Sequence, residues 1–282
     1  MTIPETPLSG SVCDRLDLAG RVAVITGGGG LLGRKHAEAV AEMGAIPVLL
    51  DIDGHRAQEA AATVGGDAIG MATDITDEVA VRAALAEVLK AYGRLDILIN
   101  NAANNPKVEG GGLADKPWSR LENFPVEVWN DDIAVGLTGA FICSRVFGAE
   151  MAKAGKGVIL NIASDLGVIA PDQRIYREPG QSAEEQSVKP VTYSVVKAGL
   201  IGLTRYLATY WADKGVRANA LAPGGVYNGQ DEAFVQRLTN LIPMGRMATA
   251  DDYKACVVFM VSDASAYMTG ACVSMDGGRT VW

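Results

Sequence analysis

Arg21-Val-Ala-Val-Ile-Thr26, followed without a break by Gly27-Gly-Gly-Gly30-Leu-Leu-Gly33, is the stretch whose reading decides the fold. The apolar run is a short buried strand, and residues 34–43 carry the apolar spacing of a helix. Strand, glycine turn and helix together open a dinucleotide-binding unit. Glycine permits the tight turn and lets backbone amides come close to a pyrophosphate at the helix N-terminus, where the helix dipole favours negative charge. Gly27, Gly30, Leu31, Leu32 and Gly33 are therefore the expected pyrophosphate contacts. A second strand, 46–50, ends at Asp51, with Ile52 beside it. A carboxylate at that point accepts hydrogen bonds from the adenosine ribose hydroxyls and repels a 2′-phosphate, so NAD is expected in preference to NADP. A flexible glycine turn with a surface aspartate is the bland alternative, and the strand-helix-strand context weighs against it.

Outward from this unit, strands alternate with helical segments along the rest of the chain. Strands are expected at 68–72, 95–99, 158–162, 216–221 and 271–275. Helices are expected at 54–64, 77–91, 126–154 and 193–213, with helical segments across 231–262, and a polar loop at 103–124. Such alternation predicts an α/β fold, a doubly wound Rossmann-like parallel sheet with helices on both faces. No internal repeat, low-complexity tract or interdomain linker interrupts it. The expected organisation is a loosely held N-terminal arm, 1–18, and one domain, 19–282.

The 282 residues are 49% hydrophobic and 21% charged, enough for a sizeable core. A formal charge of −8 argues against nucleic acid or an anionic membrane as the main partner. No uninterrupted apolar run reaches spanning length, and the acidic, Pro-rich N-terminus lacks the regions of a signal peptide. Cys13, Cys143, Cys256 and Cys272 are scattered without CxxC spacing, which suits free thiols in a cytoplasmic protein. His36 and His55 are too isolated for a metal site, and no metal is expected.

The chemistry centres on Tyr193-Ser-Val-Val-Lys197. Four residues apart on a helix, the phenol and ammonium share one face. A free tyrosine titrates near ~10, and a neighbouring lysine cation favours the tyrosinate and lowers that value. Such a tyrosine can take a proton from an alcohol or return one to a carbonyl. The spacing alone is equally that of a solvated helix face; its company decides. Thr26-Gly27, Asn100-Asn101-Ala102, Ser164, Tyr193 with Lys197, Pro223-Gly224 and Asp276-Gly277-Gly278 stand in the order of the short-chain dehydrogenase/reductase family, which the chain resembles over residues 20–282. The resemblance implies hydride transfer between NAD(P) and a secondary alcohol or ketone. It makes Tyr193 the acid/base and gives Lys197 the nicotinamide ribose. It assigns Ser164 to the substrate oxygen. It also implies that Asp74 and Ile75 contact adenine, that Asn100, Asn101, Ala102 and Ala103 flank the cofactor, and that Pro223, Gly224 and Val226 face the nicotinamide.

Three departures stand out. Leu31 occupies the place of the family's middle glycine, giving the GxxGxxG spacing of sugar-nucleotide epimerases and dehydratases. Gly136, in Val135-Gly-Leu-Thr-Gly139, replaces an asparagine that helps hold a water near the lysine; its carbonyl remains for that purpose. Ser164 and Tyr193 are separated by an insertion, 168–191, placed to overhang the site. Within it, Arg174, Arg177 and Lys189 suit a carboxylate or phosphate, and Asp172, Gln173 and Tyr176 suit hydroxyls. Glu178, Glu184 and Glu185 balance that charge, leaving a solvated loop or a subunit contact equally open. Asp165, Arg174, Tyr176, Tyr227 and Asn228 are the candidate substrate residues, with 226–248 as a substrate lid. The glycine turn, Val135-Gly-Leu-Thr-Gly139 and Asp172-Gln-Arg-Ile-Tyr176 together are similar to oxidoreductases of bacterial sugar and nonulosonic-acid pathways, implying a sugar-like or anionic substrate. Two alternatives remain. One is an NAD-retaining epimerase or dehydratase, although the chain ends at Trp282 without room for the substrate domain of those relatives; the other is a non-catalytic dinucleotide-binding protein. Family precedent pairs the two long helices across a two-fold axis, implying a homotetramer or homodimer. Ala198, Gly199, Gly202 and Ala208 offer small surfaces there, or simply pack inside the core.

Overall fold

A computed structural model describes residues 10–104 and 118–282. Residues 1–9 of the expected arm and 105–117 of the expected polar loop lie outside the described residues. From residue 10 onward the expected arm contains α1 (Val12–Leu16), capped by Ser11 in a reciprocal capping box, and Leu18 is fully buried.

The elements then follow as β1 (Val22–Thr26), α2 (Leu31–Glu42), β2 (Ile46–Asp51), α3 (Gly54–Val64), β3 (Ile69–Ala72), α4 (Glu78–Tyr92), β4 (Ile97–Asn100), α5 (Val126–Ile133), α6 (Gly139–Ala154), β5 (Gly157–Ile162), α7 (Val191–Tyr210), β6 (Val216–Pro223), α8 (Glu232–Thr239), α9 (Lys254–Val261) and β7 (Cys272–Met275). The strands form one seven-stranded sheet in the order β3-β2-β1-β4-β5-β6-β7, every pair parallel. Chain order reverses between β1 and β4, and a crevice opens there at the strand C-termini. Pro47 is tolerated inside β2 because β3 pairs only from Val48 onward.

Hydrophobic layers cover both faces of the sheet. On one side β1, β2, β4 and β5 pack against α4 and α6 through Val24, Leu50, Val81, Phe147 and Ile159; on the other they meet α2, α3 and α9 through Ile25, Val40, Leu49, Ala60 and Met260. Continuous burial of β1, β4 and β5 explains why these strands read as largely apolar, the buried Asn161 being the polar residue inside β5.

The long expected helix 126–154 is α5 and α6 joined through one π-helical turn, Ala134–Thr138. By length and composition it could cross a membrane, but it packs along β4, β5 and α4. A Cβ built on Gly136 would lie 2.6 Å from Val196 Cγ1, so α7 approaches this turn too closely for an asparagine. Gly199 makes a similar close approach to Leu137 from the other helix, so that small residue serves packing within the chain.

Candidate active site

Thr26 ends β1 and ties two loops together. Its Oγ1 accepts from the Asn101 and Ala102 amides at 3.0 and 3.1 Å, while Asn101 Nδ2 donates to the Thr26 and Gly27 carbonyls at 3.0 and 3.2 Å. Gly27 has φ +62°, and a Cβ there would meet Ala102 Cα at 2.9 Å. Glycine is obligatory on both counts. At Gly33 a Cβ would stand 2.2 Å from the Gly27 carbonyl, so this glycine lets α2 close onto the turn. Gly33 does not itself line the cleft and is corrected from contact residue to packing residue.

Above this turn a cleft of about 670 Å³ runs along the strand C-termini. The other expected cofactor residues except Asn100, from Gly27 through Asp51 and Asp74 to Pro223, Gly224 and Val226, border it. Asp51 is buried; its carboxylate accepts from the Gly29 amide at 3.0 Å and the Asp53 amide at 3.2 Å. Asp74 accepts from Thr76 through both amide and hydroxyl, which holds the Asp74-Ile75 turn at the cleft edge. Asn100 is a correction. Its side chain turns into the sheet, donating to Ser144 at 2.9 Å and Asn161 at 2.8 Å, and does not reach the cleft. Arg56 was not foreseen: it donates to the Gly29 carbonyl at 3.3 Å and borders the cleft beside Asp51.

The opposite end of the cleft gathers Ser164, just after β5, with Tyr193 and Lys197 from α7. Lys197 is buried, and its Nζ donates to the Ile162 carbonyl at 2.8 Å. Burial, and then the nearby Lys189 cation, bring its pKa down to about 8. Tyr193 moves against expectation. Burial pushes its phenol above the ordinary value, the Ser164 hydrogen bond opposes this, the Asp165 charge adds to it, and Arg279 opposes it. The pull expected from Lys197 does not govern because the ammonium sits 5.8 Å from the ring centroid and is engaged by Ile162. Beneath the pair lies a small cavity of about 10 Å³, bordered by Gly136, Asp132, Thr192 and Lys197. That is near the lower limit for one water. Thr192 donates to Asp132 there at 2.5 Å.

The insertion is anchored. Ile175 joins Phe234, Leu238, Ile242 and Met247 of the lid segment in one apolar cluster, and Arg237 Nε donates to the Ile175 carbonyl at 2.7 Å. Buried Gln186 bridges the insertion's own backbone at Glu178 and Gln181. Lys189 reaches the site, its Nζ 3.9 Å from the Tyr193 ring centroid. Of the candidate substrate residues, Tyr176, Asn228 and Asp165 border the cleft. Arg174 and Tyr227 do not. Arg174 folds back on Asp172 at 2.6 Å with its side chain in solvent, and exposed Tyr227 is held by its backbone to Ala248. Sequence reasoning missed Arg279 entirely; nothing local marks it, because its partner, Asp165, is 114 residues away.

Elsewhere, His36 lies fully buried in α2, and burial lowers its pKa to about 4, keeping it neutral. The four cysteines are free, and the described residues contain no metal-binding group of His, Cys, Asp and Glu.

Comparison with known proteins agrees with this geometry. A model of the short chain dehydrogenase family matches residues 21–176, and one described as Enoyl-(Acyl carrier protein) reductase matches 180–280, so their junction falls inside the insertion. The chain is 34% identical to a D-threitol dehydrogenase from Mycolicibacterium smegmatis, over 95% of each chain. It is 32% identical to an NAD-dependent glycerol dehydrogenase from Listeria innocua, over 94% of this chain and 96% of the other. A crystal structure of a gluconate 5-dehydrogenase from Burkholderia cenocepacia, in complex with NADP and tartrate, superposes with TM-score 0.81 at 28% identity, covering 96% of this chain and 100% of the other. The chain belongs to the short-chain dehydrogenase/reductase family, as a single-domain oxidoreductase of alcohols and ketones.

Proposed function

We propose that this enzyme interconverts a secondary alcohol and a ketone on a small polyhydroxylated substrate, prefers NAD to NADP, and uses Tyr193 as its acid/base. The observation that carries the reading is the convergence of Ser164, Tyr193 and Lys197 on one cleft with the glycine turn and Asp51. The turn suits a pyrophosphate, because side chains at Gly27 and Gly33 would fill the space against the backbone. When bound, the nicotinamide accepts or supplies the hydride. Tyr193 then holds or returns the proton of the substrate oxygen, Ser164 hydrogen-bonds that oxygen, and Lys197 supports the tyrosinate and meets the ribose.

NAD preference rests on Asp51. Arg56 beside it gives a 2′-phosphate some welcome, and the related gluconate 5-dehydrogenase holds NADP. The buried carboxylate, fixed by the Gly29 amide at the end of β2, outweighs that arginine in favouring a free 2′-hydroxyl. The polyol class is favoured by the threitol and glycerol dehydrogenases among the relatives, together with the polar lining of Asn228, Gln230 and Tyr176. Lys189 over Tyr193 extends the class to substrates with an anionic group. Free thiols fit a cytoplasmic setting. Exposed Phe141, Val195, Tyr206 and Tyr210 on α6 and α7 support pairing of those helices in a homodimer or homotetramer.

The test is NADH formation across glycerol, D-threitol, larger polyols, sugar phosphates and hydroxy acids, repeated with NADP. Tyr193→Phe should lower turnover at least about a thousandfold while sparing NADH binding. Unchanged turnover in that variant rejects the assigned base, and faster turnover with NADP rejects the role given to Asp51.

A further inference from the structure

Beside the catalytic triplet lies an ion pair that the proposed chemistry does not require. Arg279 Nη1 donates to Asp165 Oδ2 at 2.7 Å, with only 6% and 4% of the two side chains exposed. Both residues border the cleft that holds Ser164 and Tyr193. Asp165 engages Ser164 as well: the Ser164 hydroxyl and Asp165 Oδ1 are 2.7 Å apart. An ionised carboxylate offers no proton, so Ser164 is the donor and its oxygen keeps its lone pairs for other donors. One such donor, the Leu166 amide, reaches Ser164 Oγ at 3.2 Å and Asp165 Oδ1 at 2.8 Å, fixing the rotamers of both.

The C-terminal turn delivers the arginine. Asp276 accepts from the Gly278 and Thr280 amides at 2.9 and 3.0 Å, and Gly277 and Gly278 take φ of +67° and +91°. This turn swings Arg279 back beneath the end of β5. Buried ion pairs are a poor source of stability, because desolvation consumes the attraction. One retained against the reacting hydroxyls calls for a functional reason.

We propose that Asp165 and Arg279 are a charge-neutral positioning pair: Asp165 directs the Ser164 O–H bond, and Arg279 cancels the field that Asp165 would otherwise exert on Tyr193. The proposal rests on Tyr193 being the acid/base. An unpaired aspartate would bind the Ser164 proton more tightly still and would oppose the tyrosinate. Asp165 and Arg279 indeed push the Tyr193 phenol in opposite directions. The other charges facing this tyrosine are Lys197 on its own helix and Lys189 from the insertion. Asp172 faces Arg279, and Tyr253 of the segment before α9 faces Asp165.

A titration of Tyr193 by NMR of ring-labelled tyrosine tests this without any substrate, the resonance being assigned by its loss in Tyr193→Phe. Arg279→Met should raise the midpoint by about one pH unit, a tenfold change in acid dissociation. Asp165→Asn should lower it, and the double variant should return it to the wild-type value, because the two opposite shifts sum to zero, a restoration that loss of packing does not give. Arg279→Lys, which keeps the charge, should keep the midpoint. Failure of Arg279→Met to move the midpoint, or a double variant whose midpoint stays displaced from the wild-type value, overturns the proposal. NADH binding checks the fold of each variant. Should Arg279→Met not bind it, Asp165→Asn decides alone, an unmoved midpoint overturning the proposal. These results are independent of Tyr193→Phe turnover: an active Tyr193→Phe removes the base assignment, whereas an inactive one with unmoved midpoints removes only the pair.

Discussion

Along β1, β2 and β4 the cleft wall is made of backbone and short side chains at strand ends, whereas the facing wall is made of long side chains from the insertion, α8 and the turn after β7. On the first wall every contact of consequence is local or passes between neighbouring strands: Thr26 to Asn101 and Ala102, Asp51 to Gly29, Asp74 to Thr76. On the second, Arg279 meets Asp165, Arg237 meets Ile175, and Lys189 covers Tyr193. A wall of backbone recognises what is common to a class of ligands. A wall of side chains on connecting segments can be retuned without disturbing the sheet. The difference fits the proposed function, with the dinucleotide on the backbone wall and the substrate on the side-chain wall.

The sharpest way to break this contrast is at Gly33. Gly33→Val drives carbon into the Gly27 carbonyl, so it should destabilise the protein by about 3 kcal/mol and abolish NADH binding. Denaturant unfolding and NADH fluorescence titration would measure both, and normal NADH affinity would mean the first wall is less rigid than argued.

His36 beneath the same wall gives it a pH limit. Its folded pKa, about 4, is below the unfolded value of 6.5, so between these values the unfolded chain binds the extra proton. The stabilisation is complete above 6.5 and is lost as pH falls toward 4, reaching roughly 3 kcal/mol. Stability measured from pH 7 to 4 should fall by that order in the wild type and by clearly less in His36→Gln.

Asp51→Ala should remove charge-assisted hydrogen bonds to the ribose, weakening NAD by about tenfold or more and narrowing the gap to NADP. Ratios of kcat/KM for the two cofactors would show it. The smallest effect is expected on the side-chain wall: Arg237→Ala loosens the tie between lid and insertion, raising substrate KM roughly threefold to tenfold while NADH affinity stays unchanged. Equal losses in both would show that the walls are one unit.

What was readable beforehand divides along the same line. The parallel sheet, its helices and the glycine-turn end of the cleft were legible because strand burial, glycine turns and strand-end carboxylates leave local patterns. Ser164, Tyr193 and Lys197 were legible as residues by family resemblance, but the direction of the Tyr193 shift was not, since burial in the fold outweighs a helical neighbour. Asn100 misled because its strand-end position says nothing of the side on which its amide finds partners. Arg174 and Tyr227 misled because composition names polar groups without orienting them.

By itself, then, the amino-acid order determined the secondary elements, the sheet class and the glycine-built turn, all consequences of interactions spanning a few residues. Only the tertiary structure decided that Gly136 must stay small against Val196, that the insertion is clamped to the segment 226–248, and that an arginine near the C-terminus pairs with Asp165 next to Ser164. Those facts depend on distances between groups far apart in the chain, and such distances exist only after the sheet has brought the strand ends together.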